Sequence, residues 1–138
     1  MLPFKVEFRS GVSAYRRAVY AAKKSVVSGS LRPGDRFPSV RELSKALKIN
    51  PNTAHKVVST LVHEGILDVR PGIGTVVRQA APSSPEARAM LLEDDLEQLL
   101  VEAKRLSLTL PDIQQAVERQ WGRLSRNARP PEVVKEAR

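Results

Sequence analysis

Between residues 51 and 63, Asn52, Lys56, Ser59 and His63 recur at steps of three and four, with Thr53, His55 and Thr60 beside them. On a helix, at about 100° per residue, the first four share one face and the other three flank it. The set offers an amide, hydroxyls, an ammonium and imidazoles, and no carboxylate occurs before Glu64. Such groups donate to phosphate oxygens or exchange hydrogen bonds with base edges. Taken alone, the pattern is an ordinary solvated helix face, and the elements around it decide what it does.

Other chemistries find little support. His55 and His63 are two turns apart on one helix, too far to share a metal ion. Glu93, Asp94, Asp95 and Glu97 form a charge run on one helix, with no cleft to raise a pKa. The segment Pro71-Gly72-Ile73-Gly74 precedes no helix, so it is not a nucleotide-binding loop. Cysteine is absent, which excludes disulfides, thiolate catalysis and cysteine-ligated zinc. No enzyme, metal or cofactor is expected.

Two capped helices position the candidate face. Ser39 and Glu42 form an S-x-x-E capping box, and Val40, Leu43, Ala46 and Leu47 give the ensuing helix an apolar side. Lys48-Ile49 makes the turn. Asn50 then caps a second helix with Pro51 in its first position. Ala54, Val57, Val58, Leu61 and Val62 form the buried stripe of that helix, and Gly65 closes it. Residues 66–70 and 75–78 read as two strands joined through Pro71-Gly72-Ile73-Gly74. A helix pair followed by a ribbon is the geometry of a winged helix-turn-helix, which places its second helix in a DNA groove. Upstream, Ser13 caps a helix running to about Ser28, with Tyr15, Ala18, Val19, Ala22, Val26 and Val27 on its core face. Arg16, Arg17, Lys23 and Lys24 point mostly away, towards a solvated surface neighbouring phosphates. Phe4, Val6 and Phe8 alternate with polar residues, as in a short strand or an extended arm that covers the core.

Charge follows the same division. The chain has 138 residues and a net charge of +8. Residues 1–80 hold 14 Lys/Arg and 5 Asp/Glu, a net +9, while residues 81–138 hold 9 and 10, a net −1. The polyanion-seeking charge lies in the first part. Residues 79–85, rich in Pro and Ser, read as a linker. Beyond it, Ala89, Leu92, Leu96, Leu99, Ala103 and Leu106 make a heptad-like seam. After a break at Ser107-Leu108, Thr109 with Asp112 caps a helix striped by Leu110, Ile113, Val117, Trp121 and Leu124. Two such helices have too few residues to bury their apolar surface alone, so pairing with a second copy is expected. Residues 127–138, with Pro130-Pro131 and many charges, read as a disordered tail. No signal-peptide pattern or long apolar run is visible, so the chain is expected in the cytoplasm and not on a membrane.

From Gly29 to Val77 the sequence resembles the DNA-binding domain of the GntR family of bacterial regulators. The resemblance is carried by Gly29, Pro33-Gly34-Asp35, Pro38-Ser39-Val40-Arg41-Glu42-Leu43, Asn50-Pro51-Asn52-Thr53, Glu64-Gly65 and Gly72-Ile73-Gly74-Thr75. With the short helical segment after it, the chain to about residue 126 is similar to the YtrA subfamily. The resemblance implies a homodimer on an inverted-repeat operator, most often a repressor, acting on genes near its own that often serve membrane transport. It places phosphate- and base-contacting residues at Arg41, Asn50, Asn52, Thr53, Lys56 and Gly72.

The expected architecture is mainly α with a small β-wing, and double-stranded DNA and a second copy are its partners. A winged helix-turn-helix spans 1–78, a linker 79–85 and a two-helix dimerisation hairpin 86–126. The candidate DNA-binding residues are Ser39, Arg41, Asn50, Asn52, Thr53, His55, Lys56, Ser59, Arg70, Gly72 and Gly74. The candidate dimer contacts are Leu92, Leu96, Leu99, Ala103, Leu106, Ile113, Val117, Trp121 and Leu124. No separate small-molecule domain is expected, and an effector is unassigned. Two other functions remain compatible with the residues: a nonspecific architectural DNA binder, and a winged-helix adaptor that docks proteins.

Overall fold

Hydrogen bonds accepted by three short polar side chains start the three helices of the first part of the chain. The structure is a computed structural model that describes residues 2–79 and 84–126. Ser13 Oγ accepts from the Arg16 amide at 3.1 Å and begins α1 (Ala14–Val27). Ser39 and Glu42 form the full reciprocal box, at 3.1 and 3.2 Å, ahead of α2 (Val40–Leu47). Asn50 Oδ1 accepts from the Asn52 amide at 2.8 Å and opens α3 (Pro51–His63), with Pro51 in its first turn. Each cap satisfies an amide that the helix itself leaves unpaired. Lys48 takes a left-handed conformation to turn the chain between α2 and α3. Gly65, at φ 77°, lets the Ile66 amide return to the Leu61 carbonyl and ends α3.

The core lies where these helices meet. Ala54, Val57 and Leu61 of α3 are fully buried with Leu43 of α2, Ala18 and Ala22 of α1, and Leu31, Phe37, Leu67 and Val77. Strands β1 (Leu67–Arg70) and β2 (Gly74–Val77) pair antiparallel, from Leu67 opposite Val77 to Arg70 opposite Gly74. The connector before α2 binds the other edge of β2. The Phe37 amide donates to the Thr75 carbonyl and the Val77 amide to the Asp35 carbonyl, both at 2.8 Å, with a bridge between Arg36 and Val76. The ribbon is thus tied to the domain by backbone as well as by its buried ends. At the N-terminus no strand forms among the described residues. Leu2 and Phe4 lie on the core instead, and the Phe4 ring stacks on Phe37 at 5.6 Å.

A second compact unit includes the described residues 84–123. Ser84 Oγ accepts from the Ala87 amide and starts α4 (Pro85–Ala89), so helix begins within the stretch read as linker. A π-helical turn, Met90–Asp95, leads into α5 (Leu96–Arg105). Ser107, at φ 61°, makes the elbow, and Thr109 and Asp112 exchange hydrogen bonds at the start of α6 (Leu110–Arg126). At this elbow Ala103 is buried, and its carbonyl accepts from the Leu108 amide at 2.9 Å.

The helix periodicities differ from the sequence reading in three places. Val27 is 73% exposed, because it lies nine residues after buried Ala18 and therefore, at about 100° per residue, on the opposite side of α1. Ala21 and Ser25 are buried instead, the Ser25 hydroxyl donating to the Ala21 carbonyl. Ala46 is exposed, and the apolar side of α2 consists of Val40, Leu43 and Leu47. The seam of Ala89, Leu92, Leu96, Leu99, Ala103 and Leu106 is interrupted. A π turn takes up about one more residue than an α turn, and so rotates Ala89 out of line with the leucines of α5. The tail at 127–138 and most of the linker lie outside the described residues.

Truncating the core and truncating a surface position should have very different costs. Leu43→Ala should destabilise the fold by about 2–5 kcal/mol, through lost burial and a residual cavity. Val27→Ala should stay within about 0.5 kcal/mol of the wild type. Urea unfolding of both variants checks the two values, and equal losses would contradict the core assignment.

Candidate nucleic-acid interface

Burial of Ala54, Val57 and Leu61 fixes the rotation of α3 and with it the direction of every other position. Asn52, His55, Lys56 and Ser59 are exposed, and Thr53 is half-buried beside them. His55 Nδ1 lies 3.4 Å from Ser59 Oγ, one turn along. His63 is exposed at the far end of the helix. The nearby carboxylate, Glu64, forms an ion pair with Lys23 of α1 at 2.6 Å. The face therefore offers a polyanion donors, and the acid at its end is neutralised.

Ser39 and Arg41 lie at the start of α2. Ser39 is consumed by the cap, so its hydroxyl holds the helix end and Arg41 is the exposed cation of that turn. The hydrogen bond from the Ser39 amide, and after it the interaction with the Ser39 hydroxyl, holds the Glu42 carboxyl below its ordinary pKa. Asn50 is likewise a cap whose Oδ1 is occupied by the Asn52 amide. Of the sequence-derived set, Ser39 and Asn50 thus place their neighbours before they can contact anything themselves.

The ribbon presents Arg70, Gly72 and Gly74 at its tip. Arg70 is exposed at the end of β1, opposite Gly74, and its carbonyl accepts from the Ile73 amide at 3.1 Å. Gly72 has φ 77°, and a Cβ built there meets nothing within 4 Å. The turn therefore needs glycine for its backbone conformation, and the empty space leaves room for close approach by a ligand. Ile73 is exposed between the two glycines.

One residue beside the candidate face was read from sequence only as core. Tyr15, in the first turn of α1, packs on the core but also reaches α3 twice. Its hydroxyl lies 2.7 Å from Thr60 Oγ1, and the Lys56 ammonium sits 4.4 Å from its ring centroid. A half-buried Tyr in place of Phe signals that its hydroxyl has a partner; the sequence did not say which. Of the four cations on α1, Arg17 and Lys23 are engaged within the chain. Arg17 donates to the Glu7 carbonyl at 2.8 Å and covers the Tyr20 ring, and Lys23 holds Glu64. Arg16 and Lys24 are exposed.

Several proteins similar to this chain are named as regulators. The family model "Bacterial regulatory proteins, gntR family" matches residues 14–77. The chain is 29% identical over 115 residues to the HTH-type transcriptional repressor YtrA of Bacillus subtilis (strain 168), covering 83% of this chain and 88% of that one. It is 30% identical over 112 residues to the uncharacterized HTH-type transcriptional regulator YhcF of the same strain, covering 81% and 93%. A crystal structure of a transcriptional antiterminator from Listeria monocytogenes EGD-e shares the fold with TM-score 0.78 and 23% identity, over 88% of this chain and 92% of that one.

The capping box gives α2 a pH dependence of known sign. The folded pKa of Glu42 is below the unfolded one, so its contribution is complete above the ordinary carboxylate pKa and is lost as pH falls through the folded value. Unfolding measured from neutral to acid pH should therefore show a smaller loss of stability in Glu42→Ala than in the wild type. Parallel pH profiles would contradict this.

Proposed function

This chain belongs to the GntR family of bacterial regulatory proteins, and from that premise we propose a homodimeric repressor that grips an inverted-repeat operator. It is a DNA-binding transcriptional regulator and not an enzyme. The observation that carries the proposal is the outer face of α3, with exposed Asn52, His55, Lys56 and Ser59, no exposed acid before Glu64, and a glycine-tipped ribbon directly after it. In this reading α3 lies in the major groove. Asn52, Thr53, His55, Lys56 and Ser59 meet base edges or phosphates, and Arg41 anchors the backbone. Arg70 and the Gly72–Gly74 tip approach the adjacent minor groove, where a narrow groove attracts arginine. The regulated genes are neighbours of its own, and the protein acts in the cytoplasm. Among the described residues no helix is long and apolar enough to cross a membrane.

The second unit is the proposed dimerisation element. Leu92, Leu96, Leu99, Leu106, Val117 and Trp121 are all exposed, Trp121 at 74%, while Ile113 is half-buried and Ala103 is buried at the elbow; the proposed element also takes in half-buried Leu124, at the end of α6. A single chain gains nothing by leaving this much apolar surface in water. In this reading the exposed leucines of α5 pack against a second copy. Dimerisation sets the spacing of two α3 helices to about one turn of DNA or a multiple of it. An effector would act by changing that spacing.

Two measurements check this reading. Lys56→Ala should cost about 1–3 kcal/mol with relaxed specificity if Lys56 reads a base. If it binds phosphate, affinity should fall evenly across sequences, with a salt slope lower by about one. Arg41→Ala should follow the phosphate pattern. Unchanged affinity in both variants, by electrophoretic shift on the chain's own upstream region, would reject the interface. By analytical ultracentrifugation the full chain should be a dimer at micromolar concentration, and Leu96→Glu with Leu99→Glu a monomer. That monomer should keep weak salt-sensitive binding and lose two-site affinity, because its second contact is no longer intramolecular. A monomeric wild type, or a charged variant that stays dimeric, would place association elsewhere.

A further inference from the structure

Tyr15 is pinned to α3 at two points one turn apart, its hydroxyl at Thr60 and its ring under the Lys56 ammonium. Tyr15 also packs against the core cluster, so the ring is held by α1 and by apolar contacts as well. Lys56 itself is exposed. Its ammonium is attracted to the ring face, and the π system occupies one side of it, leaving N–H donors for water or another acceptor. A lysine on a flexible four-carbon stem would otherwise sample many rotamers and would lose that freedom on contacting DNA. A ring that confines the stem beforehand removes part of this cost.

We propose that Tyr15 is a positioning residue of the DNA interface, whose ring holds the Lys56 ammonium where it meets the duplex. The inference rests on Lys56 being a DNA contact. Tyr15 itself touches no nucleotide; it acts through Lys56. The Thr60 hydroxyl keeps the ring in register with Lys56, and Lys56 remains over the ring in the complex, presenting its free donors to phosphate or base. Confining one lysine in this way is worth about two- to ten-fold in affinity, from the cost of immobilising one rotamer-rich side chain.

The test is a double-mutant cycle on the full chain, using a duplex selected by the wild type from a random pool. Tyr15→Leu should weaken binding by about two- to ten-fold when Lys56 is present and should have no effect in the Lys56→Met background. Tyr15→Phe, which keeps the ring face, should stay within about two-fold of the wild type. By NMR, the Lys56 side-chain methylene protons should be shifted upfield by the ring in the free protein and in the complex, and the shift should vanish in Tyr15→Leu. The NMR measurement on the wild type stands even if Tyr15→Leu folds poorly. Equal losses in both Lys56 backgrounds would reduce Tyr15 to a core residue and overturn the proposal. Tighter binding by Tyr15→Leu would overturn it too, as the ring would then withhold the lysine, and so would disappearance of the upfield shift on adding DNA. If Lys56→Met loses affinity while both Tyr15 variants bind normally, the positioning role alone fails. If Lys56→Met binds as the wild type does, the interface assignment fails with it.

Discussion

The rotation of α3 is the constraint on which the interface depends. Ala54, Val57 and Leu61 are each completely buried, against α1 on one side and α2 on the other. Turning the helix to expose any of them would cost apolar burial of about 25 cal/mol per Å². No such cost opposes the outward face, where Asn52, His55, Lys56 and Ser59 are left in solvent. The same core takes in Leu67 and Val77, so the ribbon is anchored to the packing that orients the helix. Reader and wing are therefore fixed together by one set of apolar contacts.

Around this core the polar groups divide into those that hold the backbone and those left for a partner. Ser13, Ser39 and Asn50 spend their side chains on helix starts, and Lys23 spends its charge on Glu64. Arg41, Lys56 and Arg70 remain exposed. Long-range attraction to a polyanion follows total charge, and contacts from cations at fixed positions are what orient a bound duplex.

The helices of the first unit were legible from sequence because their start and stop signals are local. Ser13, the Ser39–Glu42 box, Asn50-Pro51 and Gly65 act where they stand in the chain. The two strands of the ribbon could be read from Gly72 and Gly74 for the same reason. Pairing of residues 34–37 with β2 could not, because Pro33-Gly34 signals a turn and says nothing about the strand to which the next residues bind. Tyr15 was legible as apolar but not as the partner of Lys56 and Thr60, which lie more than forty residues away in sequence and meet it only through packing. In the second unit, the apolar spacing identified helices and an exposed stripe. It did not reveal the π turn at Met90–Asp95, because that depends on backbone geometry that side-chain periodicity does not encode.

The most direct measurement is selection of duplexes from a random pool by the full chain at fixed salt, with sequencing of the bound fraction. The expected result is an inverted repeat whose half-sites are separated by about one helical turn or a multiple of it. Bound duplexes should exceed random sequence in affinity by about 10³-fold or more. Binding without enrichment of any repeat, at an affinity set by salt alone, would contradict the claim that this face of α3 reads sequence.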